Sequence, residues 1–93
     1  VNYPNPFVAK RENTKVRYHL KENSEVEIRI YDLIGDLVWE KKISAGESPG
    51  GVAGPNEVEW DGRNGNGEYV SAGGYICLLK VGNKVLKRKI GVK

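Results

Sequence analysis

The stretch Trp60–Tyr75, W-D-G-R-N-G-N-G-E-Y-V-S-A-G-G-Y, decides the fold class of this chain. Glycine fills five of its sixteen positions, with Asp61, Asn64 and Asn66 between them. Each glycine in a helix interior costs about 1 kcal/mol relative to alanine, so the stretch cannot be helical. We interpret it as two tight turns joined by a very short strand at residues 68–70.

Alternating apolar and polar residues predict strands on both sides of this stretch. Alternation begins at Thr14 and again at Glu25, and this period is typical of strands with one buried face. No segment shows a helical period. The predicted strands are residues 14–20, 25–30, 37–43, 57–60, 68–70, 75–81 and 84–92. The predicted core is Val16, Tyr18, Leu20, Val26, Ile28, Ile30, Val38, Val58, Trp60, Tyr75, Cys77, Leu79 and Ile90.

Short loops predict how some of these strands pair. Gly35 near the end of a short loop predicts a bulged hairpin, because glycine readily adopts positive φ. Gly82 and Asn83 form a predicted two-residue hairpin loop. That register places Leu79 opposite Leu86, Tyr75 opposite Ile90 and Cys77 opposite Arg88.

The remaining segments are predicted to be an arm and a loop. Residues 1–13 contain two prolines within N-Y-P-N-P-F, and each proline favours an extended predecessor. We therefore predict an extended N-terminal arm, with Tyr3 and Phe7 available to anchor it. Residues 44–56 hold several glycines and prolines and are predicted to form one long loop.

These elements predict a single domain over residues 1–93. About seven short strands with frequent turn signals are typical of an immunoglobulin or fibronectin-III-like β-sandwich. A single sheet of this length could not bury both of its faces, so two packed antiparallel sheets are the economical solution. The predicted fold class is all-β, a seven-stranded antiparallel sandwich.

Charge is distributed unevenly along the chain. The net charge is +3, yet residues 69–93 hold six basic residues and no acidic one. This basic C-terminal hairpin could meet an anionic surface, a glycan or a protein partner, or it could be a solvated edge that resists aggregation. No basic-aromatic motif accompanies the charge, so we expect no nucleic-acid binding. No apolar run approaches the ~20 residues of a membrane span.

Three motifs occur in a fixed order along the chain. They are N-Y-P-N-P-F at 2–7, I-R-I-Y-D-L-I-G-D-L-V at 28–38 and W-D-G-R-N-G-N-G-E-Y-V-S-A-G-G-Y-I at 60–76. Together they resemble the immunoglobulin-like domain named after the flagellar hook-capping protein FlgD. They are also similar to C-terminal modules of bacterial secreted proteins, including sorting domains of the type IX secretion system. The 44–56 loop is longer than that family usually has.

The resemblance implies a seven-stranded sandwich at the C-terminus of a secreted or cell-surface bacterial protein. There it would serve sorting, anchoring or spacing, with the upstream domains of the same polypeptide, the secretion machinery or a cell-surface polymer as partners. A flagellar hook-cap-like scaffold is a further alternative. The absence of methionine agrees with a domain taken from a longer precursor whose targeting signal lies upstream.

The glycine-rich stretch itself is predicted to be structural. Trp60 can bury a large ring between the sheets, and Asp61 can accept backbone N–H groups of the turn that it opens. The residues assigned to this structural motif are Trp60, Asp61, Gly62, Gly67, Gly73 and Tyr75. The alternative is a calcium loop with oxygen ligands from Asp61, Asn64, Asn66 and Glu68. Arg63 and Gly65 stand where an EF-hand needs ligands, so we assign no metal and no cofactor.

Two further classes of function, ligand binding and catalysis, depend on a few individual residues. Carbohydrate binding or surface-polymer binding would use flat aromatic rings on a sheet face, and Tyr31 and Trp39 are the candidate ligand face. Catalysis has no support, because the sequence shows no nucleophile–base pair, phosphate loop or clustered metal ligands. Cys77 and His19 are expected to be packing or surface residues.

Overall fold

The computed structural model describes residues 2–3, 8 and 13–93. Within these residues the chain forms strands and turns, and no helix. Six strands have seven to nine residues, and the first has two. The strands are β1 (Asn2–Tyr3), β2 (Thr14–Leu20), β3 (Val26–Asp32), β4 (Leu37–Ile43), β5 (Gly54–Trp60), β6 (Gly73–Val81) and β7 (Lys84–Val92).

The strands form two antiparallel sheets that face each other. One sheet has the order β1-β2-β5 and the other β4-β3-β6-β7. Trp60 at the end of β5 lies 6.4 Å from the ring of Trp39 on β4 and 6.0 Å from that of Tyr75 on β6, measured between ring centroids. These contacts join the sheets, and the predicted all-β class with antiparallel pairing is confirmed.

The predicted strand at residues 68–70 is wrong. This segment makes only one isolated bridge, between Arg63 and Tyr69. Its backbone N–H groups are used locally instead: Glu68 N donates to the Asn64 side chain and Val70 N donates to Gly62 O. No continuous ladder can therefore form there. Apart from the two-residue β1, the described residues therefore form six strands where seven were predicted.

Other predicted boundaries shift by one to three residues: β3 covers Val26–Asp32 and β6 begins at Gly73. β5 begins at Gly54, three residues before the predicted start, so the loop covers residues 44–53. Asn2–Tyr3 pairs with Val16 and Lys15 of β2. The remainder of the predicted N-terminal arm, including its anchoring by the Tyr3 and Phe7 side chains, lies outside the described residues.

The hairpin registers follow the predictions. Leu79 lies opposite Leu86, Tyr75 opposite Ile90 and Cys77 opposite Arg88 in the β6–β7 ladder. Gly82 in the connecting turn has φ 58°. In the β3–β4 hairpin, Gly35 has φ 102° and the register shifts after Ile30, as expected of a bulged hairpin.

The core lies between the sheets and contains most of the predicted residues. Tyr18 and Val38 are only partly buried and pack against it. Ile43 and Val92, at the ends of β4 and β7, are also buried and were not predicted; exposed Lys41 breaks the alternation before Ile43, and Val92 continues the inward parity of Ile90. The buried apolar residues are Val16, Leu20, Val26, Ile28, Ile30, Ile43, Val58, Trp60, Tyr75, Cys77, Leu79, Ile90 and Val92.

Candidate functional site

Trp60 connects the glycine-rich stretch to the core. Its side chain is 1% exposed. The indole Nε1 donates a hydrogen bond to the Arg63 carbonyl oxygen at 2.9 Å, so the buried ring also holds the turn that follows it. Gly62 is buried and has a φ of 81°, a backbone conformation that residues with a Cβ atom rarely adopt. The Trp-Asp-Gly corner is therefore shaped by burial of the tryptophan.

Side-chain oxygens organise the loop after this corner. Asp61 Oδ1 accepts from Arg63 N at 3.0 Å. Asn64 Oδ1 accepts from Asn66 N at 2.9 Å and from Glu68 N at 3.0 Å. These bonds are Asx-type turns, in which a short polar side chain replaces a backbone partner. The loop is thus built from its own aspartate and asparagines.

The loop is also fixed to the edge strand β4. Gly65 N donates to Val38 O at 3.0 Å. At its far end, Tyr75 Oη donates to Ser71 O at 2.7 Å, and Gly73, with φ 152°, begins β6. The loop therefore has attachments on β4, β5 and β6.

A groove runs between β4 and this loop. Its volume is about 780 Å³, and it is lined on one side by Asp32 and residues 36–40. The other side consists of Asp61, residues 63–67 and Val70. We call this surface the Trp39 groove. The sequence did not indicate it, because its two walls are more than twenty residues apart along the chain and are joined by the tertiary bond from Gly65 N to Val38 O.

Three of the four carboxylates in the Trp39 groove already have partners. Asp32 Oδ1 accepts from the backbone N–H groups of residues 34–36 at 2.9–3.0 Å. Glu40 pairs with Arg29 at 2.9 Å, and Asp61 Oδ2 lies 3.8 Å from Arg63 Nε. The fourth carboxylate belongs to Asp36. The negative charge of the lining is therefore largely compensated within the protein.

The candidate metal ligands do not form a metal cluster in the structure. The Asn64 side-chain oxygen and one Asp61 oxygen accept backbone N–H groups, and Asn66 and Glu68 are exposed. Over residues 13–93 no three or more His, Cys, Asp or Glu side chains converge as a metal site would require. The prediction of a structural turn rather than a calcium loop stays a prediction.

The candidate ligand face is divided between two surfaces. Trp39 pairs with buried Ile30, packs against the core and lines the groove. Tyr31 has the opposite parity on β3, so it points to the outer face of the same sheet. There it hydrogen-bonds Arg29, and this bond raises the pKa of the Arg29 guanidinium. The two rings do not form one surface.

Cys77 and His19 are also far apart in the fold. Cys77 is fully buried on β6, and burial raises the pKa of its thiol to about 11. His19 is an exposed residue on β2, in the other sheet. A thiol that is buried and neutral at physiological pH is a poor nucleophile. Nothing in this arrangement indicates enzymatic activity.

The basic hairpin forms one edge of the molecule. β7 is the outer strand of its sheet, and Lys84, Lys87 and Lys89 on it are exposed. Lysines on an edge strand oppose pairing with another chain. Among the described residues, no helix is long and apolar enough to cross a membrane.

Comparison with known proteins gives one family and one informative structure. The family model of the FlgD Ig-like domain matches residues 5–83. No curated protein matches the chain. Among solved structures, the chain is similar to PorZ, an essential bacterial surface component of the type-IX secretion system of Porphyromonas gingivalis. The TM-score is 0.68 at 20% sequence identity, and the match covers 100% of this chain and 11% of PorZ. At that identity the likeness shows the fold.

Proposed function

The chain belongs to the FlgD Ig-like domain family, and from this premise we propose that it is a non-catalytic accessory module of an exported bacterial protein. Its role is sorting or surface anchoring of the polypeptide to which it is joined. If it does neither, it serves as a spacer for the upstream domains. We place it outside the cell or on the cell surface. Its partners in this role are the upstream domains and the secretion machinery or a cell-surface polymer.

The observation that carries this proposal is how the family motif is used in the structure. Trp60, Asp61 and Asn64 direct their polar atoms into turn hydrogen bonds, and Trp60 joins the two sheets. The residues of the family motif therefore stabilise the fold. A stable sandwich whose signature residues do no chemistry suits a module that acts through its presence in a larger protein.

The likeness to PorZ favours the sorting role among the accessory roles. PorZ is a surface component of a type-IX secretion system, and the segment similar to this chain is a small part of it. The flagellar scaffold alternative is supported only by the name of the family.

The proposal is tested by joining residues 1–93 to the C-terminus of a reporter protein that carries a signal peptide. The host is a bacterium with a type IX secretion system, and the measurement is reporter in the medium, at the surface and in the periplasm. We expect export beyond the periplasm. The Trp60→Ala fusion is the control, because loss of the fold should retain the reporter in the periplasm.

The distribution of the reporter separates the roles. Release to the medium supports sorting, and protease-sensitive reporter on intact cells supports anchoring. A reporter that stays periplasmic with a folded domain contradicts both and leaves only spacing.

A further inference from the structure

We propose that the Trp39 groove binds a neutral saccharide. Its volume of about 780 Å³ falls within the ~300–1,000 Å³ of small-ligand sites. Trp39 packs against the core with part of its ring, and the rest of the ring lines the groove. This binding activity is a property of the domain itself and does not depend on the proposed export role.

One wall of the groove is apolar and has a flat ring. Trp39 remains partly exposed while it packs 6.4 Å from the Trp60 ring, and Val38 and Val70 beside it are also partly exposed. The C–H faces of a pyranose ring are apolar and match a tryptophan ring in size. Aromatic contacts of this kind contribute about 0.5–1.5 kcal/mol beyond the burial of area.

The opposite wall presents planar polar groups. The Asn64 Oδ1 atom is used by the turn, and its Nδ2 group is a donor that the turn bonds do not use. Asn66 lines the same surface, as does Arg63, whose guanidinium already donates to Tyr69 Oη at 3.0 Å and lies 3.8 Å from Asp61 Oδ2. The side-chain amides of Asn64 and Asn66 have N–H donors that can bond the hydroxyl groups of a sugar.

The charge of the lining selects a neutral ligand. Arg29 and Arg63 compensate only Glu40 and Asp61, and Asp32 and Asp36 leave the lining negative, so carboxylated, sulfated or phosphorylated sugars are disfavoured. Asp32, Glu40 and Asp61 already have partners, so a cationic ligand would have to compete with Arg29, Arg63 and backbone N–H groups. A ligand rich in hydroxyls adds hydrogen bonds and displaces no ion pair.

The walls of the groove are held in position before any ligand arrives. The Gly65–Val38 bond fixes the loop to β4, and the Trp60–Arg63 bond fixes it to the core. Preorganised polar groups lose little conformational freedom on binding.

The test is isothermal titration of the 93-residue chain with three neutral hexasaccharides: cellohexaose, maltohexaose and mannohexaose. Oligogalacturonate and hexalysine are the acidic and basic comparison probes. We expect at least one neutral probe to bind with a Kd at or below about 1 mM, the range that −4 kcal/mol gives. Trp39 fluorescence should change on binding, because the second tryptophan, Trp60, is buried.

Three variants locate the binding. Trp39→Phe keeps an aromatic core contact and should weaken binding about tenfold, as a loss near 1.4 kcal/mol implies. Asn66→Ala removes a polar group that makes no side-chain turn bond and should weaken binding several-fold. Tyr31→Ala removes an aromatic ring from the other face of the sheet and should leave the Kd unchanged. Melting temperatures show that each variant is folded.

Defined results overturn the inference. The first is that no neutral probe binds at about 5 mM, well above the Kd expected of even a weak site. The second is that Tyr31→Ala abolishes the binding of a neutral probe, whereas Trp39→Phe and Asn66→Ala leave it unchanged. Binding of hexalysine or oligogalacturonate without binding of a neutral probe would replace this ligand class by an ionic one.

Discussion

Trp60 illustrates how one residue serves both the core and the turn. Its ring contacts residues of two strands in the opposite sheet, and its Nε1 atom holds the Arg63 carbonyl. Removing it leaves a cavity between the sheets, an unpaired carbonyl and a loosened loop together.

We predict that Trp60→Ala lowers the free energy of unfolding by about 3–5 kcal/mol, the cost of large-to-small changes at aromatic core positions. A domain of this size has about 5–15 kcal/mol in total, so the variant is close to unfolded. Urea denaturation followed by circular dichroism measures the change. Trp39→Ala, at a partly exposed position, should cost less, and equal costs would contradict this account.

Two acidic groups, one partly buried and one fully buried, predict weakening of the fold at high pH. Burial, with a smaller contribution from Cys77, raises the pKa of Tyr18 from 10.0 to about 12, and burial raises that of Cys77 from 9.0 to about 11. Both groups are neutral in the folded state. Stability is therefore full below about pH 9 and falls as pH rises through 9–12, because the unfolded chain releases these protons first.

The measurement is the urea midpoint from pH 7 to pH 12. Tyr18→Phe loses the hydrogen bond from Tyr18 Oη to Gly50 O, so it is less stable at pH 7. Its decline above pH 10 should nevertheless be shallower. A parallel decline in both proteins would show that Tyr18 is not responsible.

At the scale of elements, the loop at residues 44–53 is held by hydrogen bonds and close backbone packing. Gly50 N donates to Asn56 Oδ1 at 3.1 Å. Gly51 N donates to Glu47 O, and Gly51 O accepts from Gly46 N and Ser24 N. Both glycines are buried. A Cβ atom on Gly51 would meet the backbone carbonyl oxygens of Ser44, Ser24 and Glu47.

We predict that Gly51→Ala destabilises the domain by about 2 kcal/mol or more, since backbone oxygens cannot move aside as flexible side chains do. Gly65→Ala is the matched control, because a Cβ there has open space and its φ is not positive. Thermal melting of both variants gives the comparison. A Gly51→Ala protein as stable as Gly65→Ala would show that the loop can relax.

The elements also show where sequence reasoning succeeds and where it stops. The alternation of apolar and polar residues in β2, β3 and β5 predicted which side chains are buried. The turn at Gly82 predicted the register of the β6–β7 pair. The predicted strand at 68–70 failed because Asn64 bonds satisfy its backbone locally, which residue propensity does not reveal. Asn56 is buried because it accepts from Gly50 N and Val52 N and donates to the carbonyls of Val52 and Gly54.

At the scale of the molecule, the last two strands complete one sheet and supply five of the thirteen buried apolar core residues in the described part of the chain. β6 lies in the centre of the four-stranded sheet between β3 and β7. Tyr75, Cys77 and Leu79 on it are buried, as is Ile90 on β7.

Deletion of residues 75–93 is therefore predicted to abolish cooperative folding of the domain. β3 would lose one of its two partner strands, and the apolar inner face of the sheet would be exposed to water. Loss of a sigmoidal urea transition is the expected result. Deletion of the exposed Lys93 alone, outside β7, should leave the transition unchanged. A cooperative transition in the larger deletion would contradict the role of β6 as a central strand.

The sequence by itself determined most of the strand-forming segments, the buried parity of most strands and the identity of the Trp-Asp-Gly corner. These properties depend on neighbours along the chain, because side-chain alternation and glycine-rich turns are local. Only the tertiary structure decided that Trp39 and Tyr31 lie on different faces and that β4 and the 61–70 loop enclose a groove. Those outcomes depend on a bulge and on one bond between distant segments, Gly65 N to Val38 O, which no local pattern contains.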